Sequence, residues 1–344
     1  MKLGIIGLSG SGKKTLFEAF TGISDDGSHK TEDRIGTVTV PDERIDFLSN
    51  MYKPKKTIYA KVEYFLPNIR ISKNEPKKDE NIWGEMRNCD ALIHVIRNFK
   101  AYGLEEPQAE KDFVSLDEEM IFADLVVVEK RIERLKQDNQ RGKKVNPEEM
   151  ALLEKCLELL ENNIPLSRNE EIQTSPLLKG YAFVSAKPML VLFNNEDEDE
   201  NLPEMPEKLK NEECMIARGK LEQELSQMTE EEAQEFLEEF SISASAMDRV
   251  IEASYNLLGI MSFFTVGEDE VRAWTIKKES QAPEAAGAIH TDFQKGFIRA
   301  EVLAYNDLLN AGTYNNAKKK GTVRLEGKTY IVQDGDIINF RFNV

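Results

Sequence analysis

Apolar residues are spaced along this chain in three different ways. At the start, KLGIIG (2–7) is a short apolar run leading into a glycine-rich turn, the pattern of a buried parallel strand. SGKKTLFEAFTG then places Leu16, Phe17 and Phe20 at helical spacing, with Gly22 as a stop. Further strands are expected at IGTVTV (35–40), at the alternating TIYAKVEYFL (57–66), and at the apolar runs CDALIHVIRNF (89–99) and KPMLVLFNN (187–195), with VPDERIDFL opening a short helix. Strands alternating with helices predict an α/β, doubly wound, mostly parallel sheet.

Between the last two strands the period changes. Ile121, Leu125, Val128, Ile132 and Leu135 repeat at four-three spacing, and Met150, Leu153, Leu157 and Leu160 do the same after the polar stretch QDNQRGKK. Asn146, Pro147 and Glu149 supply an N-cap, a proline at the first helical position and a capping-box acid. This predicts an antiparallel helical hairpin inserted into the α/β domain. From about Phe263 the texture changes again: FFTV, VRAWTI, GFIRAEV, TVRL and YIVQDGDIINFRF are strand-like, YNDLLNAG is helical, and Glu326-Gly327 and Asp334-Gly335 signal short hairpins. That is a small mixed α+β domain. The acidic tract EDEDE (196–200) reads as a solvated loop.

Composition narrows the partners. A chain of 344 residues is expected to hold two or three domains, and no apolar run is long enough to span a membrane. The N-terminal run lacks a cleavage site and reads as a strand, not a signal peptide. The three cysteines are far apart without metal-ligand spacing, and the three histidines are scattered, so free thiols in a reducing cytoplasm are expected and a zinc site is not. A net charge of -17 argues against nucleic-acid binding through the overall field; no DNA partner is expected, and any RNA contact needs a local basic face.

Gly7-x-x-x-x-Gly12-Lys13 fits the first seven positions of the phosphate-binding motif G-x-x-x-x-G-K-[ST]. Such a loop turns backbone N–H groups inward as an anion nest, lets the lysine reach the β- and γ-phosphates, and presents the positive end of the following helix. Gly7, Ser9, Gly10, Ser11, Gly12, Lys13, Lys14 and Thr15 are therefore the candidate phosphate contacts. The eighth position should carry the hydroxyl that ligates Mg²⁺, and here it is Lys14, whose ammonium repels a metal. Thr15 is turned about 100° away along the helix.

The run FFTVGEDEVRAWTIKK…APEAAGAIHTDFQKGFIRAEV…GDIINFRFNV closely resembles the YchF proteins, a branch of the Obg-like P-loop NTPases. PDERIDFL…KPKK (41–56), ADLVVVEKRIERL (123–135), GKLEQELSQMTEEEAQEFLEEF (219–240) and SYNLLGIMSFFTVGEDEVRAW (254–274) resemble YchF segments in order. The resemblance implies a P-loop G domain (1–115 and 187–262), an inserted helical hairpin (116–186) and a C-terminal TGS domain of β-grasp type (263–344). It also implies ATP or GTP as ligand, ATP favoured, and a ribosome or RNA partner reached through the TGS-like domain.

The departures from that family are informative. Its loop usually reads GLPNVGKST. Its switch I threonine falls at Lys30, beside Thr31, and its switch II D-x-x-G reads Leu66-Pro67-Asn68-Ile69, followed by RISKNEPKKDENIW. All three metal-holding elements are altered, so Mg²⁺ is doubtful, and Lys14 and Lys30 are candidate surrogates for its charge. By the same resemblance Asn194 takes the base-contacting position of N-x-x-E, Asp197 the acidic one, with Asn195 between them, and Ala217, Arg218 and Gly219 lie beside the base. Lys277, Lys278, Arg299, Lys318, Lys319, Lys320, Arg324 and Lys328 gather positive charge near the C-terminus, with Trp274, Phe293 and Phe297 among them, a composition suited to RNA. Three functions follow for weighing: a nucleotide-binding, ribosome-associated regulator with weak or absent hydrolysis; an active ATPase or GTPase; and a nucleotide-free scaffold. The first is favoured, and no catalytic base is identified.

Overall fold

The N-terminal apolar run forms strand β1 (Lys2–Ile6), with Leu3, Ile5 and Ile6 fully buried. The protein is seen here in a computed structural model that describes residues 1–23, 33–68, 79–205, 207–239 and 245–343. β1 belongs to a six-stranded sheet with β2 (Arg34–Thr39), β4 (Lys61–Leu66), β5 (Ala91–Asn98), β6 (Met189–Asn195) and β7 (Glu213–Ala217), in the order β2-β4-β1-β5-β6-β7. From β4 to β7 the strands are parallel. The central strands are buried along almost their whole length, as their unbroken apolar runs require.

Helices α1 (Lys13–Thr21), α3 (Asp79–Met86), α4 (Ala109–Gln140), α5 (Pro147–Glu161), α6 (Glu170–Thr174), α7 (Gly219–Leu225) and α8 (Glu230–Glu239) accompany this sheet. α4 and α5 are the expected hairpin. Ile121, Val128, Ile132 and Leu135 of α4 pack with Leu152, Leu153, Cys156 and Leu160 of α5, while Leu125, Met150 and Leu157 are only partly buried. Asn146 caps α5 as expected, accepting from the Glu148 N–H. Glu149 does not complete a capping box; its carboxylate accepts from Arg131 at 2.7 Å and from Tyr181. Where α4 meets the sheet, the fully buried Asp124 accepts from Arg87 Nη1 at 2.7 Å, the Ser185 N–H at 2.7 Å, the Ser185 hydroxyl at 2.8 Å and the Val184 N–H at 3.1 Å.

Contacts divide the chain into two units, residues 1–38 with 63–250, and 39–62 with 251–344. The second unit holds α2 (Glu43–Tyr52), β3 (Lys56–Ile58), β8 (Ile260–Val266), β9 (Glu270–Lys277), β10 (Phe297–Ala304), β11 (Arg324–Glu326) and β12 (Asp336–Phe342). These strands form a sheet in the order β11-β10-β12-β8-β9-β3. Helix α9 (Met247–Leu257) leads into it, and α10 (Ala282–Ile289), α11 (Thr291–Lys295), α12 (Tyr305–Ala311) and α13 (Tyr314–Lys320) lie within it.

Three expectations change here. TIYAKVEYFL is two strands in two sheets, because β3 pairs in parallel with β9 (Lys56 opposite Glu270) while β4 pairs with β1. The resemblance implies that 39–62 belong to the nucleotide domain, and the pairing of β3 with β9 groups them with the C-terminal residues. The turn at Asp334-Gly335 makes no hairpin: β12 pairs with β10 and β8, and Asp334 instead accepts from the Ser262 N–H at 3.0 Å. Among the described residues no helix is long and apolar enough to cross a membrane.

Candidate nucleotide site and basic surface

β1 ends at Ile6, and the loop from Gly7 carries the chain into α1. Two glycines are required by what surrounds them. A Cβ on Gly7 would lie 2.5 Å from the Val95 carbonyl oxygen, and one on Gly12 would lie 2.0 Å from Asn194 Nδ2. Gly12 caps α1 with φ 91°, a left-handed conformation that side-chain-bearing residues rarely adopt. Lys13, at the first position of α1, folds back so that its ammonium donates to the Gly7 carbonyl at 2.6 Å and the Leu8 carbonyl at 2.7 Å. Burial, and then the charge of Lys14, lower its pKa to about 8. Two carbonyls solvate this cation and no described carboxylate pairs with it, so an anion at the loop would recover the lost stabilisation. Ser9 and Gly10 are exposed, as is Lys14; Thr15 is half-buried. The Ser11 hydroxyl is buried without a hydrogen-bond partner.

Asn194, at the end of β6, joins this loop to the base-side segment. Its Nδ2 donates to the Ser11 carbonyl at 3.0 Å, and its Oδ1 accepts from the Gly219 N–H at 2.8 Å. Asn194, Ala217, Arg218 and Gly219 are all buried. Asn195 turns elsewhere, donating to the carbonyls of Asp199 and Asn201 and accepting from Asn98. The acidic tract is not simply solvated, because main-chain N–H groups and a buried arginine engage it. Glu196 accepts from the Lys100 N–H at 2.9 Å, Asp197 Oδ1 from the Leu221 N–H at 3.1 Å, and Glu200 from Arg218 Nη1 at 2.8 Å.

His94 on β5 is absent from the sequence-based site, since it sits inside an apolar run. It is fully buried and stacked on Phe113 with ring centroids 5.5 Å apart, and neither ring nitrogen has a hydrogen-bond partner. Burial, then the nearby Lys13 charge, lower its pKa to about 3, so the ring is neutral. Leu104 and Phe99 also come to the loop: a Cβ on Gly10 would meet Leu104 at 3.3 Å, and one on Gly12 would meet Phe99 at 3.8 Å. Neither residue carries a sequence signal.

The described residues at the loop do not fit a divalent cation. Lys14 replaces the ligating hydroxyl, the apolar Leu66 stands in the aspartate position of D-x-x-G, and no group of three or more His, Cys, Asp or Glu among the described residues is placed to hold a metal. Lys30 and Thr31 lie outside the described residues, as do Ile69 and most of the segment after it. A cavity of about 770 Å³ lies in the second unit among Asp42, Arg44, Tyr255 and Asp334 and includes no residue of the phosphate loop. Its arginine is already paired, with Asp42 at 2.8 Å and Asp334 at 2.7 Å, so the loop chemistry and not cavity size identifies the candidate site.

The basic residues of the second unit do not form one patch. Arg299 on β10 lies directly opposite Arg341 on β12, which the sequence reading omits. Beside them Glu301 accepts from Arg341 at 2.9 Å and from the Tyr314 hydroxyl at 2.9 Å, with Lys318 at 3.9 Å. Arg324 is tied elsewhere, to the Tyr330 hydroxyl at 3.2 Å and Asp336 at 3.9 Å. Lys277 and Lys278 border a separate hollow with Glu279 and Gln294. Lys319 and Lys320 are exposed at the end of α13, and Lys320 donates to the Asn310 carbonyl at 3.1 Å. Of the aromatics, Phe297 is core, Phe293 stacks on Phe342 at 3.7 Å, and Trp274 is covered by Arg272 at 3.8 Å.

Comparison with known proteins agrees with this architecture. Residues 260–343 match the family model YchF-GTPase_C, described as "Protein of unknown function (DUF933)". The chain is 39% identical over 363 residues to the "Ribosome-binding ATPase YchF" of Bacillus subtilis, covering 99% of each, and 34% identical over 366 residues to the protein of the same name in Escherichia coli O157:H7, covering 100% of this chain and 99% of the other. The solved structure of the Schizosaccharomyces pombe YchF GTPase superposes with a TM-score of 0.85 at 28% identity, covering 99% of this chain and 97% of that one. Identity sustained from end to end, together with a shared fold, places this chain in the YchF family.

Proposed function

We propose that this YchF-family chain binds a nucleoside triphosphate on the loop Gly7–Thr15, associates with the ribosome, and hydrolyses the nucleotide weakly or not at all. The carrying observation is Lys13, a half-buried cation bracketed by two carbonyls at the mouth of a glycine loop, with a pKa lowered to about 8 and no described carboxylate opposite it. Phosphate oxygens supply the missing anion, and the loop N–H groups and the start of α1 add to their hold. Asn194 and residues 217–219 form the base side. ATP is favoured over GTP because Asp197 already accepts from the Leu221 N–H, which competes with two-point acceptance from a guanine edge. The exposed Lys14 takes the place of metal charge, and Lys30 is its proposed companion.

Relatives named ribosome-binding ATPases support the ribosome partner, and with it a cytoplasmic setting. Binding of a fluorescent ATP analogue to the full chain, competed separately by ATP and GTP, tests this reading. Saturable binding that Lys13→Ala removes, with ATP the stronger competitor, supports it. No binding by the folded protein favours the scaffold alternative, and Mg²⁺-dependent multiple turnover favours the active hydrolase.

A further inference from the structure

Lys13 is held in a way that suits a nucleophile as well as an anion-binding cation. Its nitrogen donates to the Gly7 carbonyl at 2.6 Å and to the Leu8 carbonyl at 2.7 Å. Two of the three tetrahedral directions left by the side-chain stem are thereby filled, and the third points away from both carbonyls. In the ammonium form that direction carries an N–H; in the amine form it carries the lone pair. Of the titratable groups around the nitrogen, Lys14 repels its charge, His94 is a neutral ring, and no described carboxylate pairs with it. Burial and that repulsion bring its pKa to about 8, so about a tenth of the side chain is amine at pH 7, against about one part in 3,000 for a lysine at 10.5. Desolvation beside a second cation is a general route by which a protein makes a lysine nucleophilic near neutral pH.

We infer that an acyl phosphate seats its phosphate group on the loop Gly7–Thr15 and acylates Lys13, and that this modification switches nucleotide binding off. This rests on the proposed phosphate site and adds a covalent regulator to it. The glycine loop and the start of α1 hold the phosphate group as they would hold that of a nucleotide. A lysine that reaches a phosphate oxygen also reaches the acyl carbon bonded to it. The amine lone pair attacks that carbonyl carbon, the C–N bond forms, and the C–O bond to phosphate breaks. The bonding electron pair leaves on the phosphate, which takes one proton from the attacking nitrogen. The products are an amide and inorganic phosphate, and no other reactant is consumed. The amide keeps one N–H and no charge, so the loop loses the cation that faces the nucleotide's phosphates.

The test treats the full chain with acetyl phosphate and, separately, with the N-hydroxysuccinimide ester of acetic acid, which acylates amines but carries no phosphate. Peptide mass mapping follows each lysine with time. Acetyl phosphate should modify Lys13 several-fold faster than Lys14 and Lys319, both of which are exposed. That preference should shrink with the ester and vanish in urea-unfolded protein. Inorganic phosphate and ATP, each added alone, should protect Lys13. Protein acetylated at Lys13 should bind a fluorescent ATP analogue more weakly by about tenfold or more, the loss expected for one charge-assisted hydrogen bond. Equal rates at Lys13, Lys14 and Lys319 overturn the inference. So does a preference as strong with the ester as with acetyl phosphate, or full analogue binding by the acetylated protein. Failure of the unmodified, folded chain to bind the analogue instead overturns the nucleotide reading itself, and the switch with it.

Discussion

The amide of Asn194 donates to the main-chain carbonyl of Ser11 at 3.0 Å, so a side chain at the end of β6 holds the phosphate loop after β1 in place. The same amide accepts from the Gly219 N–H, and one residue thereby links the loop after β1 to the segment proposed to lie beside the base. Removing it in Asn194→Ala leaves two buried main-chain groups without partners, each costing about 1–3 kcal/mol. Urea unfolding should show a loss in that range for each group, and nucleotide affinity should fall with it. Stability equal to wild type would mean the two loops are held by other contacts.

Gly12→Ala tests the same junction from the loop side. The new methyl would collide with Asn194 Nδ2 and force φ 91° on an L-residue, a strain of about 1–3 kcal/mol. Nucleotide binding should be lost while the far-UV circular dichroism of the fold survives.

Lys13 gives the site a pH dependence of definite sign. Its pKa is about 8 without an anion, and phosphate favours the charged form. Binding is therefore fully supported below pH 8; above it the free protein has lost the proton that the complex needs. Affinity should fall by up to about tenfold per pH unit from pH 8 upward, with proton uptake visible as a dependence of binding enthalpy on buffer. Affinity flat from pH 7 to 9.5 would contradict a phosphate-facing lysine.

His94 acts in the opposite pH range. Its folded pKa of about 3 lies below the ordinary value of 6.5, so the unfolded chain takes up a proton that the folded chain refuses. Stability from this residue is fully present above pH 6.5 and is lost as pH falls toward 3, by up to about 1.4 kcal/mol per unit. His94→Leu should flatten that part of the pH–stability curve relative to wild type, measured by urea midpoints from pH 7 to 5. Parallel curves would contradict the burial of a neutral ring.

The Asp124 cluster governs the hairpin. Asp124→Ala leaves the partly buried Arg87 without its anion and exposes the Val184 and Ser185 donors to loss of partners. Breaking a buried ion pair in this way costs about 3–5 kcal/mol. A midpoint within experimental error of wild type would rule out that clamp.

How much of this was legible in the sequence depends on range. The phosphate loop is local, nine residues whose glycines and lysine carry their own chemistry, and the hairpin is written in helical periodicity. Pairings across the chain are not. Nothing in TIYAKVEYFL says that its first residues join a sheet with β9, because alternation is the same for one strand or two. Arg341 faces Arg299 only through a register that no local pattern encodes. His94 was hidden because a buried polar residue inside an apolar run leaves the run's period intact. The acidic tract looks solvated in sequence because its partners, the main-chain N–H groups of Lys100 and Leu221 and the Arg218 guanidinium, are contributed by other segments.

The central claim is that the loop holds nucleotide with lysine in place of a metal. Isothermal titration of the full chain with ATP, in Mg²⁺ and in EDTA, for wild type and Lys14→Ser, tests it most directly. Wild-type affinity should survive EDTA, and Lys14→Ser should form a weaker complex that Mg²⁺ strengthens. Wild-type binding that collapses in EDTA, or is unchanged by Lys14→Ser under both conditions, would contradict it.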